Sequence, residues 1–190
     1  MKTKVFLTAV LLAILSITLN AQEKVKKFGF ELNSGVSFAT AEQDLKTGFS
    51  FEGMFLYNFM PHTGLYAGWG WNRFAGENVL AGNDFEETGY FAGLQFKHPV
   101  ANSPVSWFIR AGGLWNHIEI ENAEGDVIKN SGHGPGFQLA GGIALPLGKN
   151  WSLTPGVKFN ALTRDFDSEG IITKMDYDYI SVRIGIVKNF

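Results

Sequence analysis

Apolar and polar residues alternate along most of this chain. The last segment, residues 177–190, shows the alternation most clearly, with an apolar face interrupted only by Lys188: Ile180, Val182, Ile184, Ile186 and Phe190. The residues between them are largely small or polar: Ser181, Arg183, Gly185, Val187 and Asn189. A period of two places successive side chains on opposite faces of an extended chain. The segment is therefore predicted to be a β-strand with one apolar face.

Seven earlier segments repeat this pattern and are separated by turn or polar residues. They cover about residues 28–38, 49–59, 65–72, 85–96, 105–120, 137–145 and 151–162. Proline lacks the backbone N–H that a sheet ladder needs, so Pro155 predicts a local irregularity in the last of them. Together with the closing segment, the pattern predicts eight strands of roughly nine to twelve residues, the length that a tilted strand needs to cross a bilayer.

The connections between the predicted strands alternate in length and in charge. Those after the second, fourth and sixth strands are short, whereas the longest ones follow odd-numbered strands. Most acidic residues, Glu87 among them, are assigned to the longer connections, while Lys97, Lys149 and Lys188 lie near the short ones. Short turns at one end and longer loops at the other are typical of an up-and-down membrane barrel.

The first 21 residues differ from the rest of the chain. Lys2 and Lys4 precede an apolar run of 13 residues, which is too short to span a bilayer as a helix, and a cleavage site is plausible after Ala21. Residues 1–21 are therefore predicted to be a signal peptide, and residues 22–190 a single exported barrel domain. The chain has no cysteine, so no disulfide can stabilise this domain.

The alternation alone fits two architectures. In a soluble lipocalin-like carrier the apolar face points into the barrel, whereas in a membrane barrel it points outward to lipid. Charged residues lie near the middles of the polar faces: Glu31, Glu52, Arg110, Lys158 and Arg183. Aromatic residues gather at the strand ends, as in the girdles at membrane interfaces: Phe28, Phe59, Phe96, Trp107, Trp151 and Phe190 on the turn side, and Phe38, Phe49, Trp71, Tyr90, Trp115 and Tyr177 on the loop side. We predict an all-β, eight-stranded antiparallel up-and-down transmembrane β-barrel.

Over residues 22–190 the chain resembles the small eight-stranded outer-membrane barrels of the outer membrane protein A, X and W type. The resemblance rests on the export signal, the number of strands, the alternating loop lengths and the terminal Phe190. The resemblance implies insertion into the outer membrane of a double-membraned bacterium as a monomer, with contacts to membrane lipid and lipopolysaccharide. It also implies that Ile184, Ile186 and Phe190 form a C-terminal signal for the barrel assembly machinery. Lys188 departs from the family pattern, in which the closing strand carries an aromatic or apolar residue at this position.

The five charged residues of the polar face predict a network inside the barrel. An eight-stranded barrel has an interior that side chains just fill, and charges away from water must be paired. Glu31 and Glu52 are therefore expected to pair with Arg110, Lys158 and Arg183. Two functions remain open: a static polar plug, or a gate whose ion pairs exchange partners to open a narrow path.

One acidic segment has the spacing of a calcium loop. Asp165, Asp167, Glu169 and Asp176 fall at positions 1, 3, 5 and 12, with Gly170 at position 6. The flanks are strands instead of helices, so a solvated hairpin tip is the simpler interpretation. We expect no cofactor, with calcium or another divalent cation weakly bound at the external loops as an alternative.

The sequence favours a structural role over catalysis. A barrel hydrolase acting on lipid A would need neighbouring nucleophile and base residues, for which the candidates are Ser131, His133, Asp126 and His117. No histidine pair has metal-ligand spacing along the chain. The net charge of −2 gives no basic face for nucleic acid. The predicted function is a non-enzymatic surface-interaction scaffold with a plugged lumen; the alternatives are a narrow porin-like channel, a lipid-modifying hydrolase and a soluble carrier.

Overall fold

The computed structural model describes residues 26–40, 44–168 and 171–190. The predicted signal peptide, residues 1–21, lies outside the described residues. The strands are β1 (Phe28–Ala39), β2 (Gly48–Asn58), β3 (Thr63–Ala75), β4 (Asp84–Pro99), β5 (Ser106–Glu121), β6 (Val127–Asn130), β7 (Gly134–Gly148), β8 (Trp151–Leu153), β9 (Gly156–Ser168), β10 (Ile171–Asp176) and β11 (Tyr179–Asn189). A 3-10 turn, Asn78–Leu80, precedes β4. Within this described part, no helix is long and apolar enough to cross a membrane.

The strands close into a barrel. Each barrel strand is antiparallel to its neighbours, and β1 pairs with β11 from Gly29↔Asn189 to Ala39↔Tyr179. The barrel wall has eight strands: β1 to β5, β7, the β8–β9 pair, which together form one strand, and β11. The predicted eight-stranded up-and-down barrel is therefore confirmed. Both ends of the described chain lie at the short-turn end of the barrel, which we call the turn end, and the longer hairpins lie at the loop end.

The irregularity predicted at Pro155 is present between β8 and β9. β8 ends at Leu153 and β9 begins at Gly156. Thr154 still exchanges two backbone hydrogen bonds with Gly185 of β11, at N···O distances of 2.8 and 3.2 Å. The wall therefore stays continuous although proline cannot donate, and the alternation of inward and outward side chains is kept across the break.

Two segments predicted to be loops are instead β-hairpins that extend beyond the barrel. β6 pairs with the end of β5, and β10 pairs with the end of β9. These segments, residues 121–135 and 164–176, fall in the longer polar connections predicted after the fifth and seventh strands. Outside the membrane an antiparallel ribbon needs no apolar face, since its backbone hydrogen bonds hold it together.

Side-chain burial shows which face points inward. The apolar face is exposed along every wall: Leu32, Val36, Phe51, Phe55, Leu65, Trp69, Leu94, Ile109, Leu139, Val157, Val182 and Ile184 are each more than a third exposed. The polar face fills the interior. Glycines make room there; a Cβ on Gly112 would lie 2.5 Å from the hydroxyl oxygen of Tyr66. One girdle assignment was wrong: Tyr177 is 1% exposed and points into the barrel, where it packs against Phe74.

Candidate functional site

Glu31 of β1 and Arg110 of β5 form an ion pair across the interior. Arg110 Nη1 and Nη2 donate to the two carboxylate oxygens at 3.2 and 2.5 Å. Thr154 Oγ1 also donates to Glu31 at 2.8 Å, and Arg110 Nε donates to Gln95 Oε1 at 2.8 Å. The bidentate fork and its two supporting bonds satisfy charges that are otherwise removed from water.

Glu52 of β2 receives two cations. Lys158 Nζ of β9 donates to one carboxylate oxygen, and Arg183 Nη1 of β11 donates to the other at 2.7 Å. The structure therefore brings together all five charged residues singled out in the sequence, and their side chains are 6% exposed or less. We call Glu31, Glu52, Arg110, Lys158 and Arg183 the ion-pair layer. The static plug and the gate both remain predictions for the function of this layer.

Glu87 is a third buried acid, and its predicted position among the loop residues is wrong. It is 2% exposed and faces the interior from β4. Asn116 Nδ2 donates to its Oε1, while its Oε2 has no hydrogen-bond partner among the described residues. The sequence signal was weak because Phe85 and Phe91 share its inward face. The alternation of β4 therefore did not separate polar from apolar positions.

An aromatic cluster closes the loop end of the interior. Phe74 of β3 contacts the rings of Tyr177 and Tyr179, both with centroids 5.5 Å apart from its own. Tyr177 also donates its hydroxyl to the backbone oxygen of Phe85 at 3.4 Å. Because β1 and β2 separate β3 from β11 in the wall, these contacts cross the bore. We call Phe74, Phe85, Tyr177 and Tyr179 the aromatic cap; all four are at most 2% exposed.

The interior cavities beside these groups are small. One of about 10 Å³ lies beside Glu52 and Glu87. Another of about 30 Å³ lies at the turn end, beside Glu31, Lys97 and Arg110. A buried water needs about 10–15 Å³. The two cavities therefore have room for single waters.

The exposed apolar band, the paired interior charges and the closed antiparallel wall together indicate a barrel made for a lipid environment. The model of a protein family, the outer membrane protein beta-barrel domain, matches residues 9–190. The chain belongs to this family. It is accordingly a protein of the outer membrane, in contact with its lipids, and the membrane architecture is confirmed over the soluble carrier.

Solved structures show the same fold at low sequence identity. Neisserial surface protein A superposes with a TM-score of 0.68 at 16% identity, covering 86% of this chain and 97% of that one. The outer membrane protein OprG from Pseudomonas aeruginosa superposes with a TM-score of 0.54 at 14% identity, covering 87% and 97%. No curated protein matches the chain significantly. At these identities the similarity shows the fold alone.

Arg164 lies where the external hairpins extend beyond the membrane barrel. The sequence analysis assigned it to a loop tip, but it is 2% exposed. Its guanidinium donates to four backbone oxygens, those of Asn116, Pro135, Thr163 and Gly134, at 2.7 to 3.0 Å. Pairing between β7 and β9 ends just before this point. Arg164 therefore satisfies carbonyl groups where the sheet divides into the β5–β6 and β9–β10 hairpins.

The candidate calcium loop lies only partly within the described residues, because Glu169 falls outside them. Asp165 is opposite Lys174 in the β9–β10 hairpin, and Asp176 accepts a hydrogen bond from Thr163 Oγ1 at 2.7 Å. Among the described residues, no group of three or more His, Cys, Asp or Glu side chains is arranged to hold a metal ion. Calcium binding at this loop stays a prediction.

The residues considered for a hydrolase make other contacts. Ser131 Oγ donates to the backbone oxygen of Gly132 at 2.9 Å and accepts the N–H of Ile118 at 2.9 Å. His133 instead contacts His117, at an N···N distance of 3.2 Å. The serine hydroxyl is thus engaged with the backbone, and the histidine that could activate it is directed elsewhere.

The C-terminal residues assigned to assembly lie on the lipid face. Ile184, Ile186 and Phe190 are 51%, 40% and 61% exposed. The backbone N–H of Phe190 donates to Phe28 at 2.8 Å, next to the seam between β1 and β11. This placement leaves the three side chains accessible from the membrane, and their role in assembly stays a prediction.

Proposed function

We propose that this protein is a closed outer-membrane barrel that supports its external hairpins as an interaction surface and does not conduct solutes. The observation that carries the proposal is that side chains fill the bore at two successive levels. The ion-pair layer crosses the interior from β1 to β5 and from β2 to β9, and the aromatic cap crosses it again at the external end. The cavities beside Glu52 and beside Glu31 measure only about 10 and 30 Å³, which is room for isolated waters.

The external hairpins provide the surface. β6 is an end strand of the described sheet, paired with β5 alone, and its Val127 and Ile128 are 51% and 50% exposed. An unpaired strand edge with exposed apolar side chains can accept an extended segment of another protein. The acidic loop residues add electrostatic selectivity. They also offer oxygen ligands for divalent cations that bridge lipopolysaccharide phosphates.

The other parts of the proposal concern assembly. We propose a monomer: the closed wall leaves no strand edge within the membrane to which a second copy could add a strand. It is inserted by the outer-membrane assembly machinery through the segment ending in Phe190. It has no enzymatic activity, since the side chains nearest to a catalytic set are bound to the backbone or to each other.

Planar-bilayer recording of the refolded protein tests closure directly. A silent barrel is expected at all voltages that the bilayer tolerates. Insertion must be verified independently, by protease protection of the barrel in the same lipid. Discrete openings of the wild-type protein would overturn the proposal and favour the narrow channel.

Shortening the β5–β6 hairpin tests whether the barrel folds independently of this external hairpin. Ile118 and Ser131 exchange hydrogen bonds, so an Asn-Gly turn in place of residues 119–130 can join them. The barrel is expected to fold with an unchanged thermal midpoint and an unchanged gel shift on boiling. Loss of the folded band would mean that the hairpin belongs to the folding core, against the proposal.

A further inference from the structure

Two histidines meet at the external end of the barrel. His117 lies on β5 and His133 directly precedes β7, and Asn116↔Gly134 is the last paired position between the two strands. His117 Nδ1 and His133 Nε2 are 3.2 Å apart, and the ring centroids are 4.4 Å apart. Their separation of 16 residues gave no metal-ligand signal in the sequence. The strand pairing alone brings the two rings together.

The nitrogen separation fits a shared metal ion. Transition metals bind imidazole nitrogen at about 2.0–2.1 Å. Two such nitrogens are about 2.9 Å apart at a right angle and about 3.4 Å apart at a tetrahedral angle. The observed 3.2 Å lies between these values. His133 is exposed, so water can complete the coordination sphere.

The second nitrogen of His117 is held in the way that metal-binding histidines usually are. Its Nε2 lies 3.5 Å from Glu119 Oε1 and 3.2 Å from Thr88 Oγ1. Asn130 Nδ2 in turn donates to Glu119 Oε1 at 2.7 Å. A proton on Nε2 that is donated to Thr88 Oγ1, with the Glu119 carboxylate nearby, leaves the lone pair on Nδ1, the nitrogen that faces His133.

We propose that His117 and His133 form a two-nitrogen site for a divalent transition metal ion, with water as the remaining ligands and Glu119 as a positioning residue. Within the described residues no third His, Cys, Asp or Glu completes the site, so the protein contributes two ligands. Imidazole selects Cu²⁺, Ni²⁺ and Zn²⁺ over Ca²⁺ and Mg²⁺. The site therefore differs from the candidate calcium loop in both ligands and metal.

Copper titration of the full, tag-free protein in detergent tests the site, with electron paramagnetic resonance as the readout. One equivalent of Cu²⁺ is expected to bind with a two-nitrogen signal, and Zn²⁺ is expected to compete. His117→Ala and His133→Ala should each abolish the two-nitrogen signal. Glu119→Gln should retain it and weaken binding by about 10- to 100-fold.

The second histidine pair, His62 and His98 at the turn end, supplies the matched control. Its ring centroids are 4.8 Å apart, and His62 Nδ1 already contacts the backbone oxygen of Lys97 at 3.0 Å. His62→Ala is expected to leave the signal unchanged. Absence of a two-nitrogen signal in the wild type would overturn the proposal and leave an imidazole hydrogen bond. So would a signal that survives His133→Ala and disappears in His62→Ala.

Discussion

Glu52→Gln is expected to lower the free energy of unfolding by about 3–5 kcal/mol, because it leaves Lys158 and Arg183 buried without a carboxylate. The amide keeps the size of the side chain, so packing is preserved and the loss reports the charge. Urea unfolding in lipid vesicles, followed by the fluorescence of the five tryptophans, measures the change.

Glu87→Gln is the matched control for this prediction. Glu87 is as buried as Glu52, but no cation among the described residues lies within ion-pair distance, and its Oε2 has no hydrogen-bond partner there. The amide oxygen can still accept from Asn116. Glu87→Gln is therefore expected to cause no loss of stability. Equal decreases in the free energy of unfolding of the two variants would contradict the prediction. They would show that any buried carboxylate contributes this much, and that the ion pairs of Glu52 add nothing.

Opening of the barrel to ions is expected only when both closures are removed together. Phe74→Ala breaches the aromatic cap, because this ring contacts both tyrosines. Arg183→Ala removes one of the two cations that contact Glu52 in the ion-pair layer, while Lys158 still neutralises Glu52. Each single variant should remain silent in planar bilayers, and the double variant should show discrete openings. The reason is geometric: the two closures lie one after the other along the same bore.

A second double variant controls for loss of stability. Phe38 is 45% exposed on the lipid face, so Phe38→Ala with Arg183→Ala removes the same groups without touching the cap. It should stay silent, and a gel shift on boiling should verify the folded state of every variant before recording. Openings with Arg183→Ala alone would assign closure to the ion-pair layer and show that the cap does not seal.

The alternation of side chains was enough to predict the eight strands of the barrel wall and most of their inward and outward faces, but it missed the external strands β6 and β10. This succeeds because the parity of a strand is a local property: each side chain points to the face opposite its neighbour's. The charges at Glu31, Glu52, Arg110, Lys158 and Arg183 could be assigned to the interior by the same rule. Pro155 likewise marked the break between β8 and β9, since a missing N–H is visible in the sequence.

The partners of these residues were decided by the tertiary structure. On β4, mixed apolar and polar residues hid the inward face of Glu87. Tyr177 has the same parity as the inward Ser181 and Arg183, and it was assigned to the girdle only because it is an aromatic residue at a strand end. The stagger of the strands around the closed wall decides which carboxylate pairs with which cation. It also decides that His117 lies beside His133. The contact between Lys158 and Glu52 across the bore joins residues 106 positions apart. A local pattern determines the face of a side chain, and only closure of the barrel determines what stands opposite it.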